Sequence, residues 1–322
     1  MSTQMEERLA AALHDLTGDH PYVPDFDVIA RRARRSARRE VLVRGGASVS
    51  ALAVAAAAIG LATAGGGSAG PVPPVPADRL DQLAVTLAAD PAPAGDATEV
   101  VRTTSYPGQS PTRGADLYAD DGRYFYSQDP AGLAAEVRSD DNVANGVFGR
   151  EVSIAKRAAA GSDADTAARQ MAAAALDPGT ASTFVPSPPS VPLPPGLSGA
   201  QAKAYLLAHA PSGPVVVDDN DIWVNALDAL VAGAGQPQVR AGVLRILSTL
   251  PGITVTDTTT EGIPTVTISA TGTPDTAGGY RETLVIGAAN ALPLAFTGGN
   301  VGAAPSVTVT YHVSRVTLAD LH

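Results

Sequence analysis

Cysteine is absent from the 322 residues, which excludes disulfides, thiolate nucleophiles, Cys-ligated zinc and iron–sulfur clusters together. Aromatics make up only 4% of the chain, with a single tryptophan, so burial has to come from many small Ala and Val side chains. Histidine is sparse as well, limited to His14, His20, His209, His312 and His322, and neither His209 nor His312 has a nearby cluster of metal-spaced partners. The sequence contains no P-loop, no dinucleotide fingerprint and no paired-carboxylate motif, so the residues point away from an enzyme. No cofactor or resident metal is expected. The net charge is −10, and an acidic chain lacks the electrostatic footprint of a nucleic-acid binder.

What is present is an uneven distribution of charge. Arg31, Arg32, Arg34, Arg35, Arg38, Arg39 and Arg44 crowd together just before an uncharged stretch. From Gly46 to Ala64 the chain reads GASVSALAVAAAAIGLATA, with neither charge nor proline. A helix of that length spans about 28 Å, against a hydrocarbon core of about 30 Å. Val49, Leu52, Val54, Ile59 and Leu61 supply most of its apolar character, since Ala is nearly neutral for insertion. The positive-inside rule places the arginines in the cytoplasm, and with them the N-terminus. The expected arrangement is a single-pass cell-membrane protein with its larger, C-terminal part extracytoplasmic. A cleaved signal is the competing reading, because Ala62-Thr63-Ala64 has the small-x-small form of a cleavage site and Arg38-Arg39 is a twin arginine.

Four regions follow. Residues 1–45 form a cytoplasmic tail, in which Leu9, Leu13 and Leu16 mark an amphipathic helix over residues 4–16 that ends at Gly18. That tail suits either a docking site for a cytoplasmic regulatory protein through residues 1–40 or a topogenic segment touching anionic membrane lipid. Residues 46–64 are the transmembrane helix. Residues 65–77, GGGSAGPVPPVPA, are a linker, flexible in its Gly half and extended in its Pro half. The G-x-S-x-G match at 66–70 within it lacks the strand-to-helix context that a nucleophile elbow needs.

From residue 78 to 322 the pattern is globular. Leu80, Leu83, Ala84 and Leu87 give a helical stripe. Strands are predicted over 98–106, 115–119 and 123–127, the last two joined by an Asp120-Asp121-Gly122 turn. Tyr118, Tyr124, Phe125 and Tyr126 gather scarce aromatics on this hairpin, as a ligand-facing wall or as cross-strand packing. Helices are expected over 143–160 and 163–176, then over 199–210 with Ser198 as its N-cap, after a Pro-rich stretch from 178 to 195. The Asp218–Asp221 run lacks the Gly and distal Glu of a calcium loop and reads instead as the cap of a helix reaching Val231. Trp223, Leu227 and Leu230 share one face of that helix, and a further helix from Pro237 carries Val243, Leu244 and Leu247. Beyond Leu250-Pro251-Gly252 the period changes to two, and five strands (253–258, 265–270, 282–287, 292–297, 306–318) form an antiparallel meander. The fold class is therefore α+β: one N-terminal transmembrane helix followed by a curved antiparallel sheet packed on a block of helices.

The Leu-rich start, the Arg cluster, the single span, PQVRAGVLRILSTLPGITV (237–255) and YRETLVIGAANALPLAF (280–296) together resemble an uncharacterised family of single-span membrane proteins of GC-rich Gram-positive bacteria. The element order of the outer domain is similar to the lipoprotein-carrier and RseB-type half-barrel, whose penultimate turn Leu292-Pro293-Leu294 matches in part, without the Asp and Thr-Gly of that motif. The resemblance implies a sheet whose concave face is plugged by helices. It also implies a role in binding acyl chains or in sensing for envelope signalling. The leading expectation is a membrane-tethered binding or sensory domain. An envelope structural or protein-interaction protein without a ligand is the alternative. If an apolar or lipid ligand is bound, its wall is expected between the C-terminal strands and the tryptophan helix, from Trp223, Leu227, Val266, Ile268, Val307 and Val309.

Overall fold

A computed structural model describes residues 78–140, 146–186, 214–271 and 280–321. They build an α+β domain with six α-helices and one large sheet. In chain order these are α1 (Asp78–Ala88), β1 (Ala97–Ser105), β2 (Thr112–Ala119), β3 (Tyr124–Ser127), α2 (Leu133–Ser139), α3 (Val147–Ala159) and α4 (Ala164–Ala173). Then come β4 (Ser182–Phe184), β5 (Val215–Val217), α5 (Asp219–Ala232), α6 (Pro237–Ser248), β6 (Ile253–Thr260), β7 (Ile263–Thr271), β8 (Tyr280–Gly287), β9 (Pro293–Asn300) and β10 (Val307–Val316).

The eight-stranded sheet runs β3-β2-β1-β10-β9-β8-β7-β6, and every neighbouring pair is antiparallel. The pairing of β1 with β10 joins the ends of the domain, from Ala97 opposite Val316 to Ser105 opposite Thr308. The N-terminal hairpin and the C-terminal meander thus become one sheet, although a block of helices separates them in sequence. The short β4–β5 pair is parallel and went unanticipated. At three residues each, its strands are too short for an alternation to register. The helix expected over 199–210 lies outside the described residues.

The helices form where the sequence provides stripes and caps. On α1, Leu80, Leu83, Ala84 and Leu87 are at most 4% exposed. A capping box holds the start of α5: the Asp218 carboxylate accepts from the Asn220 and Asp221 amides, while Asp221 accepts from the Asp218 amide at 3.1 Å. Two carboxylates of the acidic run, Asp218 and Asp221, are thus occupied with backbone donors. Pro237 opens α6, where its missing N–H costs nothing. α6 is buried nearly all round because α1 and α3 both pack against it. Gly242 permits the second contact, since a Cβ there would lie 1.7 Å from the Ala155 carbonyl oxygen of α3. α3 begins at Val147, later than the expected 143, and a separate short α2 precedes it.

Strand alternation gives the sheet two faces. On the helix side, Val255, Val266, Ile268, Leu284, Ile286 and Phe296 of the meander join residues of α1 and α3–α6 in one core. On the opposite side of the hairpin, Ala97, Ala115, Leu117 and Phe125 form a second core. It is covered by Leu133 and Val137 of α2 and by Leu318 in the closing 3-10 turn. The hairpin is therefore covered on both faces.

Candidate functional site

The residues expected to wall an apolar ligand lie in or against the main core on the helix side of the sheet. Trp223 is 1% exposed, and Leu227, Val266 and Ile268 are buried with it in the main core. Val307 and Val309 of β10 are partly buried and pack against that core. The Trp223 indole Nε1–H donates to Glu282 Oε2 on β8 at 2.5 Å, which satisfies the one polar group of the ring. Asn225, two residues on, donates to the carbonyl oxygens of Met171 and Ala172 at 2.7 and 3.2 Å, fixing α5 to the end of α4. Four of the six are thus members of the main core, which also holds Leu284, Ile286 and Phe296, and the two valines of β10 lie against it. The indole is held between helix and sheet as a rigid reporter of that contact.

A second constellation lies on the helix-facing side of the hairpin, where alternation places Arg102 of β1, Asp116 and Tyr118 of β2, and Tyr124 and Tyr126 of β3. Arg102 Nε donates to Asp116 Oδ2 at 2.5 Å, and the Tyr124 hydroxyl donates to Asp116 Oδ1 at 2.5 Å. The guanidinium also stands 5.3 Å from the Tyr126 ring centroid. Gly114, opposite Arg102 in the β1–β2 register, leaves room for the Tyr126 ring, which passes 3.3 Å from where a Cβ would sit. Tyr118 and Tyr124 stack at 5.0 Å, and Phe148 of α3 meets both rings at 5.2 and 5.0 Å. Of the four hairpin aromatics, Phe125 alone points to the opposite core.

The electrostatics follow from that geometry. Burial works against the Arg102 charge, but the Asp116 carboxylate and the neighbouring tyrosines outweigh it and raise the guanidinium pKa above its ordinary value. Burial first, and the negative charge of Asp116 second, push the Tyr118 phenol well above the usual tyrosine value. The site is thus an ion pair beside the Tyr118 phenol, which burial and Asp116 hold in its protonated form. The aromatics were legible in the sequence, but Arg102, Asp116 and Phe148 were not. The available signal was a carboxylate between Ala115 and Leu117, on the face opposite them, with an arginine one hairpin strand away.

Two other charged groups are structural. Arg240 of α6 is 5% exposed and donates to the Ala234 carbonyl and, at 2.7 Å, to the Asn290 carbonyl. Burial lowers its pKa to about 10, opposed by Asp90. Arg150 and Arg157 flank an open hollow of about 350 Å³ on α3, together with Gly146, Gly149, Ser153 and Ile154. Arg150 is engaged there with the Ala174 and Leu176 carbonyls at 3.1 and 3.0 Å.

The topology residues Arg31, Arg32, Arg34, Arg35, Arg38, Arg39 and Arg44 lie outside the described residues, as do the span at 46–64 and the linker at 65–77. Among the described residues, no helix is long and apolar enough to cross a membrane, and no group of three or more His, Asp or Glu is placed to hold a metal ion. No protein-family model matches the chain, and no curated protein matches it.

Proposed function

We propose that the chain is a single-pass membrane protein, N-terminus inside, whose outer half-barrel domain is an interaction or sensory module meeting its partner on its surface. The anchor is the uncharged 46–64 stretch behind the arginine cluster. The observation that carries the surface reading is Trp223: its indole is 1% exposed, bonded to Glu282 and part of the same buried core as Leu227, Val266 and Ile268, where the acyl-chain reading would place its ligand. The pairing of β1 with β10 supports the tethered-module reading, because it joins the N-terminal hairpin and the C-terminal meander into one sheet within the domain. The tail over residues 1–40 is the part suited to a cytoplasmic regulatory protein. In the second reading an apolar ligand extends the core along β10, where Val307, Val309 and Tyr311 remain only partly buried.

Both parts are tested on the full chain. Cysteines introduced at Ser2 and Ser306, labelled from outside in intact cells, should report Ser306 alone. Labelling at Ser2 only would reverse the topology, and release of the protein into the medium would favour the cleaved signal. Titration with fatty acids and phospholipid should leave Trp223 emission and the melting temperature unchanged. A shift in both with ligand concentration would replace the surface reading by the apolar-ligand one.

A further inference from the structure

The two edges of the large sheet are finished differently. β3 is four residues long and leads at once into a 3-10 turn and α2, which packs against it. β6 is eight residues, about 27 Å of edge, and is the last strand of the sheet among the described residues. Natural edges are blunted by charge, proline, bulges or brevity. β6 has one charge, Asp257, and its Oδ1 accepts from Arg79 Nε at 3.2 Å.

The orientation of the β6 backbone follows from its hairpin. Glu261 and Gly262 have φ of 52° and 80°, and Thr260 opposes Ile263, which makes a two-residue turn with both central residues left-handed. In such a hairpin the flanking pair Thr260–Ile263 exchanges hydrogen bonds, and so do Thr258–Thr265, Thr256–Thr267 and Thr254–Ser269. Pro264, with no N–H, falls at a pair that exchanges none, as this phase requires. The N–H and C=O groups of Ile253, Val255, Asp257 and Thr259 therefore point away from β7, and none of them has a hydrogen bond among the described residues.

We propose that this edge pairs with the β6 of a second copy of the chain, antiparallel about a two-fold axis at Thr256, joining two sheets into one. Outward groups must meet outward groups, so the axis passes through a residue, and the central choices are Thr256, Asp257 and Val255, the last of which leaves Thr259 unpaired. The second choice sets Asp257 against its own counterpart and leaves Ile253 unpaired. The first sets Val255 against Asp257 and Ile253 against Thr259 of the second copy, and the reverse, so that all four outward residues exchange bonds and no like charges meet. On the other face it sets Thr256 against Thr256 and Thr254 against Thr258. This continues an existing hydroxyl array in which Thr258 Oγ1 lies 2.8 Å from both Thr265 and Thr267 Oγ1. The charge-poor, self-matching edge is what selects a second copy over an unlike strand.

The absence of cysteine makes the test direct. In full-length protein in detergent, Thr256→Cys should form a disulfide dimer on mild oxidation, since Cα atoms of a facing pair that exchanges no backbone bonds lie about 4.5 Å apart, within disulfide reach. Thr254→Cys and Thr258→Cys should stay monomeric singly and cross-link when mixed. Thr310→Cys, exposed on β10 in the middle of the sheet, reports dimers made through any other surface. The expected yield for Thr256→Cys is about ten-fold that of Thr310→Cys. Adding Thr259→Pro, which removes an outward N–H that the folded monomer does not use, should cut the Thr256→Cys yield several-fold and leave the circular dichroism unchanged. Thr256→Cys yields no higher than those of Thr310→Cys, or a yield that the proline leaves intact, would overturn the edge pairing.

Discussion

The helix-facing side of the sheet divides into two regions that solve the same burial problem with different chemistry. Across β6–β9 it presents Val255, Val266, Ile268, Leu284, Ile286 and Phe296, which meet the helices through non-directional contact. Across β1–β3 it presents Arg102, Asp116, Tyr118 and Tyr124, held by an ion pair, a phenol hydrogen bond and ring stacking against Phe148. The first region tolerates repacking of similar volumes. In the second, each polar atom depends on a partner at a set distance, and losing one strands another. The hairpin can carry such a network because its opposite face holds an apolar core of its own, around Leu117 and Phe125.

The largest effect should come from the apolar region. Leu284→Ala, at a fully buried position, is expected to cost about 3 kcal/mol in urea unfolding, while Leu284→Met costs under about 1.5 kcal/mol because the volume is kept. Equal losses for the two would break the comparison, since volume alone would then not govern this half.

A smaller and differently shaped effect is expected in the hairpin. Asp116→Ala leaves the Arg102 charge and the Tyr124 hydroxyl without this acceptor and should cost about 2 kcal/mol, below the range for fully buried pairs because Arg102 keeps some contact with water. Arg102→Met in the same chain should restore about 1 kcal/mol of that loss, and a double-mutant cycle measures the coupling. Strict additivity would show that the pair carries no linked stability.

The smallest effect appears only in alkali. The Tyr118 pKa is raised in the folded state, so above about pH 10 the unfolded chain releases this proton while the folded chain retains it. The folded state then binds more protons, and stability falls with rising pH. The contribution is complete below pH 10 and is lost as pH climbs toward the folded-state value. Tyr118→Phe should flatten the alkaline fall in melting temperature and remove a late-titrating phenol from the absorbance titration near 295 nm. An unchanged alkaline profile would place Tyr118 in contact with water.

Local order was legible wherever one residue's neighbours in sequence decide its place. The α1 stripe at Leu80, Leu83, Ala84 and Leu87, the Asp218 cap, the Asp120-Asp121-Gly122 turn and the alternation of the last five strands follow from period and capping chemistry, and the structure has them. The α+β class followed from the change of period at Leu250-Pro251-Gly252. Tertiary structure decided the joining of β1 to β10, because antiparallel pairing between residues 97 and 316 leaves no mark on either strand alone. It decided that Arg102 and Asp116 form a pair, since alternation gives a face but not the partner across it. It also decided the close approach of α3 and α6 at Gly242, and that β6 is the last strand of the sheet among the described residues. Those outcomes depend on which surfaces meet, and contact between residues far apart in the chain is set by the packing of the whole domain.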